Sequence, residues 1–411
     1  MNKEKTKFGV LEDIYCINVF LAVFYNVLQN SALKVVINLP GAINWFFIVV
    51  CVVLVFSKNI YKRDLFPLIG IAVGVLSFFM SGSRVVVTLM AFAVAARGFD
   101  YFKILRTFKY AIVTSILLVA FLDFLNMIPK VKEYHRGDSV DSVRSTFGFT
   151  HPNVFSMFVL AGVCSHYFCY SRKVTLFQLI PCAVAFVFTF FFAKSNTVSL
   201  VLIVIFICLL LPMFSGLRKF ILKHISLFRK LIILIAIVLL VGTVYLSINL
   251  NKIKFIYELG NTAWARFNLA NKAINTYGFS LLGQKVEFHN SLNYSVINYN
   301  YFTIDCLYIL LAVRDGILAS LFFWLSLLYS AAVMIKKRYL IATAIIISLM
   351  VFSVMESGLS FVCFGFIFAA PYAKAPDRKD ITENLKDIAR EKSRRFKRTI
   401  AVNNYKPLQD I

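Results

Sequence analysis

Apolar runs long enough to cross a lipid bilayer recur along this chain from its first thirty residues to about residue 371. A helix needs about 20 predominantly apolar residues to span the hydrocarbon core, and helices satisfy their backbone hydrogen bonds there internally. Hydrophobic residues make up 60% of the sequence and charged residues 16%, whereas soluble proteins carry roughly a quarter charged residues. The sequence therefore predicts an all-α, polytopic integral membrane protein.

The apolar runs predict about 12 transmembrane helices. Their approximate limits are 11–29, 37–56, 65–81, 84–98, 109–128, 152–170, 174–193, 196–214, 231–250, 316–335, 339–355 and 357–371. The first run has no small-residue cleavage site after it, so we expect a retained span rather than a signal peptide. The apolar stretch 302–313 is too short for a span. It predicts a short helix at the outer face, or dipping into it, that breaks at Gly316.

Positive charge is distributed unevenly between the two predicted sides of the membrane. With the N-terminus in the cytoplasm, 31 of the 44 lysines and arginines fall in predicted inner segments, as the positive-inside rule requires. The net charge of +24 therefore reflects orientation and attraction to anionic membrane lipids rather than a nucleic-acid partner. The chain is therefore predicted to cross a membrane many times, with its N-terminus in the cytoplasm.

The same map divides the chain into two parts. Residues 1–371 form the predicted transmembrane domain, and residues 372–411 form a basic cytoplasmic tail with helical apolar spacing. Two predicted outer loops are long, 129–150 and 251–301, and the second lies between spans nine and ten. Long loops on one side of a membrane scaffold are where function tends to reside.

Metal and nucleotide motifs are missing from the sequence. The eight cysteines contain no CxxC pair, and the five histidines show no HxxxH or HExxH spacing, so no metal ligand set is indicated. The sequence also lacks a DxD motif, a P-loop and a GxGxxG phosphate cradle. We therefore predict no cofactor, and expect any chemistry to use an activated substrate that is already in the membrane.

Two predicted outer turns carry arginine. The stretch "RSTFGFTHPN" places Arg144 ahead of His151 and Asn153 at the entry to the sixth span, and "SGSR" places Arg84 between two spans. Proline at a first helical turn and polar neighbours are typical of a helix N-terminus. One interpretation is therefore that the triplet caps the helix and has no other role. The corresponding alternative for Arg84 is that its side chain extends toward lipid phosphates at the membrane surface and binds no substrate. The alternative is that these groups bind a ligand, since arginine forks match phosphate oxygens.

The large outer loop and its neighbours carry further candidates. The stretch "NTAWARFNLANKAINTYGF" predicts a helix resting on the membrane, with Trp264 on its apolar face and Arg266 on its flank. Asp305, Glu356 and Asp123 are carboxylates at or near membrane depth, where ionisable groups are costly and often functional. A local salt partner is the alternative explanation for each of them.

The serial order of these pieces resembles the bacterial repeat-unit polysaccharide polymerases, which are Wzy-like members of the O-antigen polymerase and ligase superfamily. The likeness covers nearly the whole chain by topology, through short motifs. The matching pieces are "SGSR", "FGFTHPN", "AWARFNLANKAINTYGFSLLGQ", "TIDCLYILLAVRDGILAS" and a late "ESG".

The resemblance implies a metal-independent glycosyltransferase that makes capsular, exopolysaccharide or O-antigen-type chains. It would move a growing chain from undecaprenyl diphosphate onto the next lipid-linked repeat unit outside the cytoplasmic membrane, alongside chain-length regulator and flippase proteins. Asp305 stands near where related ligases carry a histidine, which departs from the ligase pattern. A flippase for lipid-linked oligosaccharides, or a ligase of the same superfamily, remains the alternative.

The resemblance also implies roles for individual residues. We expect the catalytic group to comprise Arg144, Arg266, His151 and Asp305, and the substrate-binding group to comprise Arg84, Asn153, Trp264 and Glu356. The arginines would face the leaving diphosphate, whose charge grows as the glycosidic bond breaks, and a carboxylate or histidine would take the proton of the attacking hydroxyl.

Overall fold

The computed structural model describes residues 2–37, 39–130, 144–170, 175–210, 213–253, 261–288 and 302–374. Parts of both long predicted outer loops, and the basic tail after residue 374, lie outside these described residues. The regular secondary structure within them is helical, and an isolated antiparallel bridge joins Ser31 and Phe149.

The helices follow the predicted spans closely. Numbered in chain order, they are α1 Asn2–Gln29, α2 Leu33–Val36, α3 Ile43–Phe56, α4 Leu65–Ser81, α5 Val85–Ala95, α6 Tyr101–Phe124, α7 Pro152–Cys169, α8 Ile180–Val187, α9 Asn196–Leu210, α10 Ser215–Lys223, α11 Ile225–Ile248, α12 Asn261–Tyr277, α13 Leu307–Leu310, α14 Ile317–Lys336, α15 Leu340–Phe352 and α16 Gly365–Ala369. A π-helical turn, Phe188–Phe192, extends α8.

Six of the described helices are long and apolar enough to cross a membrane. They are Phe8–Gln29, Lys62–Ser81, Tyr101–Phe124, Pro152–Cys169, Ile225–Ile248 and Ile317–Lys336. Five shorter apolar helices accompany them: Ile43–Phe56, Val85–Ala95, Leu176–Phe192, Asn196–Leu210 and Leu340–Phe352. The chain is therefore an all-helical, multi-pass membrane protein, but the structure does not show twelve helices of spanning length.

The last predicted span, 357–371, is not a continuous helix. It consists of two single 3₁₀ turns followed by the five-residue helix α16. Glycines allow it to pack very closely, because a Cβ at Gly358 would collide with the Met157 side chain, and one at Gly365 would lie 3.0 Å from the Phe92 ring. Close packing inside the bundle replaces the regular helix that its apolar composition predicted.

The short helix predicted before Gly316 is confirmed, but its surroundings differ from the prediction. Helix α13 and the π-helical turn Leu311–Asp315 end at Gly316, which has a φ of 93°. All four residues of α13 are buried, because the segment packs against α11 and α14. It therefore belongs to the core of the bundle rather than to an outer surface.

The basic residues gather at one end of the helix bundle. Lys58, after α3, donates to the carbonyls of Ala95 and Arg97 after α5, each at 3.0 Å. Tyr101 at the start of α6 stacks on Tyr339 at the start of α15, with ring centroids 5.5 Å apart. We call this the basic end, and it collects these chain segments: Lys58–Arg63, Arg97–Arg106 and Lys336–Arg338.

Helix α1 runs from the basic end to the opposite end. Phe8 near its start packs against Phe99 at the basic end. Asn30 just after its last turn accepts hydrogen bonds at 3.1 Å from the backbone N–H and the hydroxyl of Thr150. From residue 11 to residue 29 the helix advances by about 1.5 Å per residue, which gives a rise of roughly 27 Å. The His-Pro-Asn triplet beside Thr150 therefore lies at the end of the bundle opposite the basic end.

Candidate functional site

His151 caps helix α7 with its own side chain. Its backbone is extended, with φ −155° and ψ 145°, and Nδ1 accepts the N–H of Asn153 at 3.0 Å. Pro152 occupies the first helical turn, where a missing N–H costs no hydrogen bond. The capping function therefore explains the histidine as well as the proline. Histidine replaces the usual serine, threonine, aspartate or asparagine at this position.

Arg144 connects the segment before α7 to two other parts of the chain. Its Nη2 donates to Oδ1 of Asn153 at 2.6 Å, and its Nε donates to the carbonyl of Ala193 at 3.0 Å. Asn153 thus uses its backbone N–H for the cap and its side chain for the arginine. Both predicted partners of this motif, Arg144 and His151, are brought together at the first turn of α7.

Arg266 lies in a second cluster, formed with residues from three distant segments. Its guanidinium pairs with the carboxylate of Glu356 through Nη2, donates to the Thr197 hydroxyl at 2.8 Å and lies 3.7 Å from Oδ2 of Asp305. The Arg266 and Glu356 side chains are only 9% and 4% exposed, whereas the Asp305 side chain is 32% exposed. Asp305 is therefore the carboxylate of this cluster that a substrate can reach.

The prediction that Arg266 lies on the flank of a membrane-resting helix is wrong. Helix α12 exists, but its buried face contains Arg266 together with Ala263, Phe267, Ala270 and Ala273. These positions recur every three or four residues, so they form one helical face. The small alanines let α12 approach α11 and the α13 segment, which carries Arg266 into the protein.

Residues 193–197, between the π-helical turn and the first turn of α9, join the two clusters. Arg144 bonds the Ala193 carbonyl and Arg266 bonds the Thr197 hydroxyl, so the two arginines hold opposite ends of one five-residue segment. Lys194 has a left-handed backbone with φ 47°. Ser195 is buried, and its hydroxyl has no hydrogen-bond partner among the described residues.

This segment was not singled out from the sequence. The polar letters "KSNT" between two apolar runs were a visible signal, but they read equally well as an ordinary short connection. Its importance comes from the two arginines that bind it, which lie 49 and 69 residues away in the chain.

The charges of this region suit a neutral histidine. Burial, together with repulsion from Arg144 and Arg266, lowers the pKa of His151 to about 4. Because Nδ1 accepts the Asn153 N–H, the neutral ring carries its hydrogen on Nε2. In this arrangement the neutral His151 ring presents Nε2–H as a hydrogen-bond donor.

Both carboxylates of the Arg266 cluster have a raised pKa. Burial raises the pKa of Asp305, and Arg266 and the Thr303 hydroxyl, 3.3 Å from Oδ1, oppose this rise. Burial also raises the pKa of Glu356, again opposed by Arg266. A carboxylate with a raised pKa and partial access to solvent is suited to accepting a proton near neutral pH.

The remaining predicted residues lie at various distances from these clusters. Trp264 packs beside the Arg266 cluster, in a small apolar group with Leu250, Phe267 and Met355. Arg84 instead donates to the Gly41 carbonyl at 2.9 Å, with its guanidinium over the Phe78 ring. The hydrogen bonds and ion pairs described for Arg84 connect it to neither cluster, so the structure gives this arginine a role in joining the α2–α3 connection to the α4–α5 turn.

Comparison with known proteins gives no neighbour for this arrangement: the chain matches no protein-family model, no curated protein and no solved structure. Within the described residues, no three His, Cys, Asp or Glu side chains are grouped as a metal would require. The site is best characterised by its own groups. Two arginines bind the ends of residues 193–197; one lies beside the capping histidine of α7, and the other pairs with the partly exposed Asp305.

Proposed function

We propose that this protein polymerises oligosaccharide repeat units that are linked to undecaprenyl diphosphate. The reaction would take place at the outer face of a bacterial cytoplasmic membrane and would build a capsular, exopolysaccharide or O-antigen-type chain. The observation that carries the proposal is that Arg144 and Arg266 bind the two ends of residues 193–197, with His151 beside Arg144 at the start of α7 and Asp305 beside Arg266. Support also comes from the serial order of motifs that resembles the polymerase family.

The proposed chemistry is a glycosyl transfer without a metal. A hydroxyl oxygen of the acceptor repeat unit attacks the anomeric carbon of the donor sugar, and the bond from that carbon to the diphosphate oxygen breaks. The diphosphate leaves with the electron pair of that bond. Asp305 accepts the proton of the attacking hydroxyl, because it is the partly exposed carboxylate of the site and burial raises its pKa.

The two arginines take different parts in this proposal. Arg266 already pairs with Glu356 and Asp305, so it positions Asp305 and holds α12 against residue Thr197. Arg144 lies beside His151 at the first turn of α7, where it donates to Asn153 and to the Ala193 carbonyl, and its guanidinium would stabilise the departing diphosphate. The Nε2 hydrogen of His151 would donate to an oxygen of the same group.

Membrane orientation follows from the position of the charges. The basic end would face the cytoplasm by the positive-inside rule, which places the candidate site outside, where lipid-linked repeat units are polymerised in the family that the sequence resembles. We propose that the shorter apolar helices also cross the membrane as part of a bundle of about twelve spans. Lipid-linked donor and acceptor would be held in register, which lowers the entropic cost of their encounter.

A deletion strain complemented with variants tests the proposal. We expect the deletion to leave single repeat units on the lipid carrier and to abolish long polymer. An Asp305→Asn variant should restore protein to the membrane but reduce polymer by about a hundredfold or more, the usual scale for loss of a general base. Asp123→Asn is the matched control and should restore polymer. Repeat units trapped on the cytoplasmic leaflet would instead identify a transporter.

A further inference from the structure

A cavity of about 610 Å³ opens at the basic end of the bundle. It lies between the first part of α1, the connection from α3 to α4 and the connection from α5 to α6. Lys58, Arg63 and Arg97 line it together with Phe8 and Tyr61. Because α1 separates its two ends by roughly 27 Å, this cavity is distinct from the candidate site and does not depend on the proposed function.

Arg97 is a buried arginine with unused donors in this cavity. It is 4% exposed, and its Nη1 pairs with Asp64, which is fully buried. Among the described residues, this is the one side-chain hydrogen bond that Arg97 makes. Its Nε and Nη2 make no hydrogen bond with the described residues, so both can donate to a ligand in the cavity that Arg97 lines.

Lys58 adds a second positive charge close to Arg97. Its ammonium donates to the Ala95 and Arg97 carbonyls and lies 3.1 Å from the centre of the Phe99 ring. Burial, followed by repulsion from Arg97, lowers the pKa of Lys58 to about 7. Burial disfavours the charged ammonium, and an anion bound beside Lys58 and Arg97 would favour it.

The neighbouring carboxylates only partly offset these cations. Asp64 pairs with Arg97, and Glu12 accepts the backbone N–H of Asp100 at 2.9 Å. Arg63 lies 3.8 Å from Asp64, but its own side chain is 58% exposed and lines the cavity. Three cations thus face two carboxylates, one of which pairs with Arg97 itself, and this leaves a net positive charge around the cavity.

We propose that this cavity binds a phosphate group. Its volume lies in the range of small-ligand sites, and guanidinium forks beside an ammonium match the oxygens of a phosphate. Phe8 and Tyr61 at the cavity are both exposed, at 41% and 57%, and so present apolar surface next to the cations. That combination suits the headgroup of an anionic phospholipid, with its acyl chains against the apolar side chains. A free phosphate ion would use the same polar contacts.

The test uses the purified full-length protein in nanodiscs. Its two arms distinguish a phospholipid headgroup from a free phosphate ion. In the first arm, phosphatidylcholine discs receive increasing amounts of labelled phosphatidylglycerol. In the second arm, discs of phosphatidylcholine alone are dialysed against radioactive inorganic phosphate. Arg63→Gln removes an exposed cation with little risk to folding, and Arg97→Lys keeps the charge beside Asp64 while removing the fork. Lys62→Gln is the control, since it changes the charge equally outside the cavity lining.

We expect saturable binding in at least one arm, weakened about tenfold by Arg63→Gln and by Arg97→Lys, as for loss of one charge-assisted hydrogen bond. Lys62→Gln should change affinity by less than about twofold because it acts only through screened charge. Saturation with phosphatidylglycerol alone identifies a lipid headgroup, and saturation with inorganic phosphate identifies a soluble ligand. Absence of binding in both arms, or equal losses in Lys62→Gln and Arg63→Gln, would overturn the proposal.

Discussion

At the scale of single residues, the contacts of Arg144 and Arg266 depend on the shape of the guanidinium group and not only on its positive charge. Arg144 uses Nε and Nη2 to reach acceptors that are 40 residues apart, Asn153 and Ala193, and Arg266 reaches Thr197, Asp305 and Glu356. A lysine supplies the same charge but only one ammonium group at the end of a flexible chain. It cannot reproduce either set of contacts.

We therefore expect Arg144→Lys and Arg266→Lys each to reduce polymer formation tenfold to a hundredfold, on the order of one or two charge-assisted hydrogen bonds. The amount of each protein in the membrane should stay near the wild-type level, because the charge is preserved. Polymer length and yield from complemented deletion strains give the measurement. Lys130→Arg and Lys285→Arg serve as controls for the outer loops. Wild-type polymer from both arginine variants would refute a functional role for the forks.

His151 gives a prediction for stability as a function of pH. Its pKa in the folded protein is about 4, and that of an unfolded histidine is about 6.5. Between these values the unfolded chain binds more protons, so stability falls as the pH drops from about 6.5 to 4.

His151→Asn should keep the helix cap and flatten this part of the pH profile, whereas His151→Ala should cost about 1 kcal/mol at pH 7.5 through loss of the cap. Thermal unfolding of detergent-purified protein between pH 4 and pH 8 measures both effects. An unchanged slope in His151→Asn would show that another group titrates there.

At the scale of elements, the break at Gly316 fixes how two chain segments pass each other. A Cβ at Gly316 would collide with the backbone of Gly283 and would lie 2.6 Å from the Leu282 carbonyl carbon. The backbone at this point also has a φ of 93°, which side chains rarely tolerate. Neighbouring backbone bonds depend on this close approach, since Gln284 donates its N–H to Arg314 and Ile317 donates to Ser280, both at 2.9 Å.

Gly316→Ala should therefore destabilise the protein by at least about 2 kcal/mol, from backbone strain and from separation of the two segments. We expect less protein in the membrane and a lower melting temperature in detergent. Gly242→Ala is the matched control, because that glycine lies within α11 with open space around it and alanine favours a helix. Equal melting temperatures for the two variants would contradict the steric argument.

At the scale of the whole molecule, the basic end and the candidate site lie at opposite ends of the bundle. This separation makes membrane orientation a direct test of where the chemistry can occur. Reporters inserted after Lys58, Lys219 and Lys336 should report the cytoplasm, and reporters inserted after Lys130 and Lys285 should report the exterior. A cytoplasmic signal at Lys285 would place Arg266 and Asp305 on the inner side, where external polymerisation is impossible.

The sequence by itself determined the features that depend on neighbouring residues. Long apolar runs predicted a multi-pass helical protein, His-Pro-Asn predicted the start of α7, and Arg-Asp-Gly predicted the break at Gly316. Each follows from local composition, from proline or glycine geometry, or from the hydrogen bonds that a backbone must make in lipid.

Only the tertiary structure decided which of these polar groups meet. Glu356 pairs with Arg266 across 90 positions of sequence, and residues 193–197 acquire their place because two distant arginines bind them. The final segment, 357–371, packs closely around its glycines and does not form the regular helix that its composition predicted. Local patterns cannot specify such contacts, because the partner of a buried charge depends on how the helices pack, and packing depends on side chains from the entire bundle.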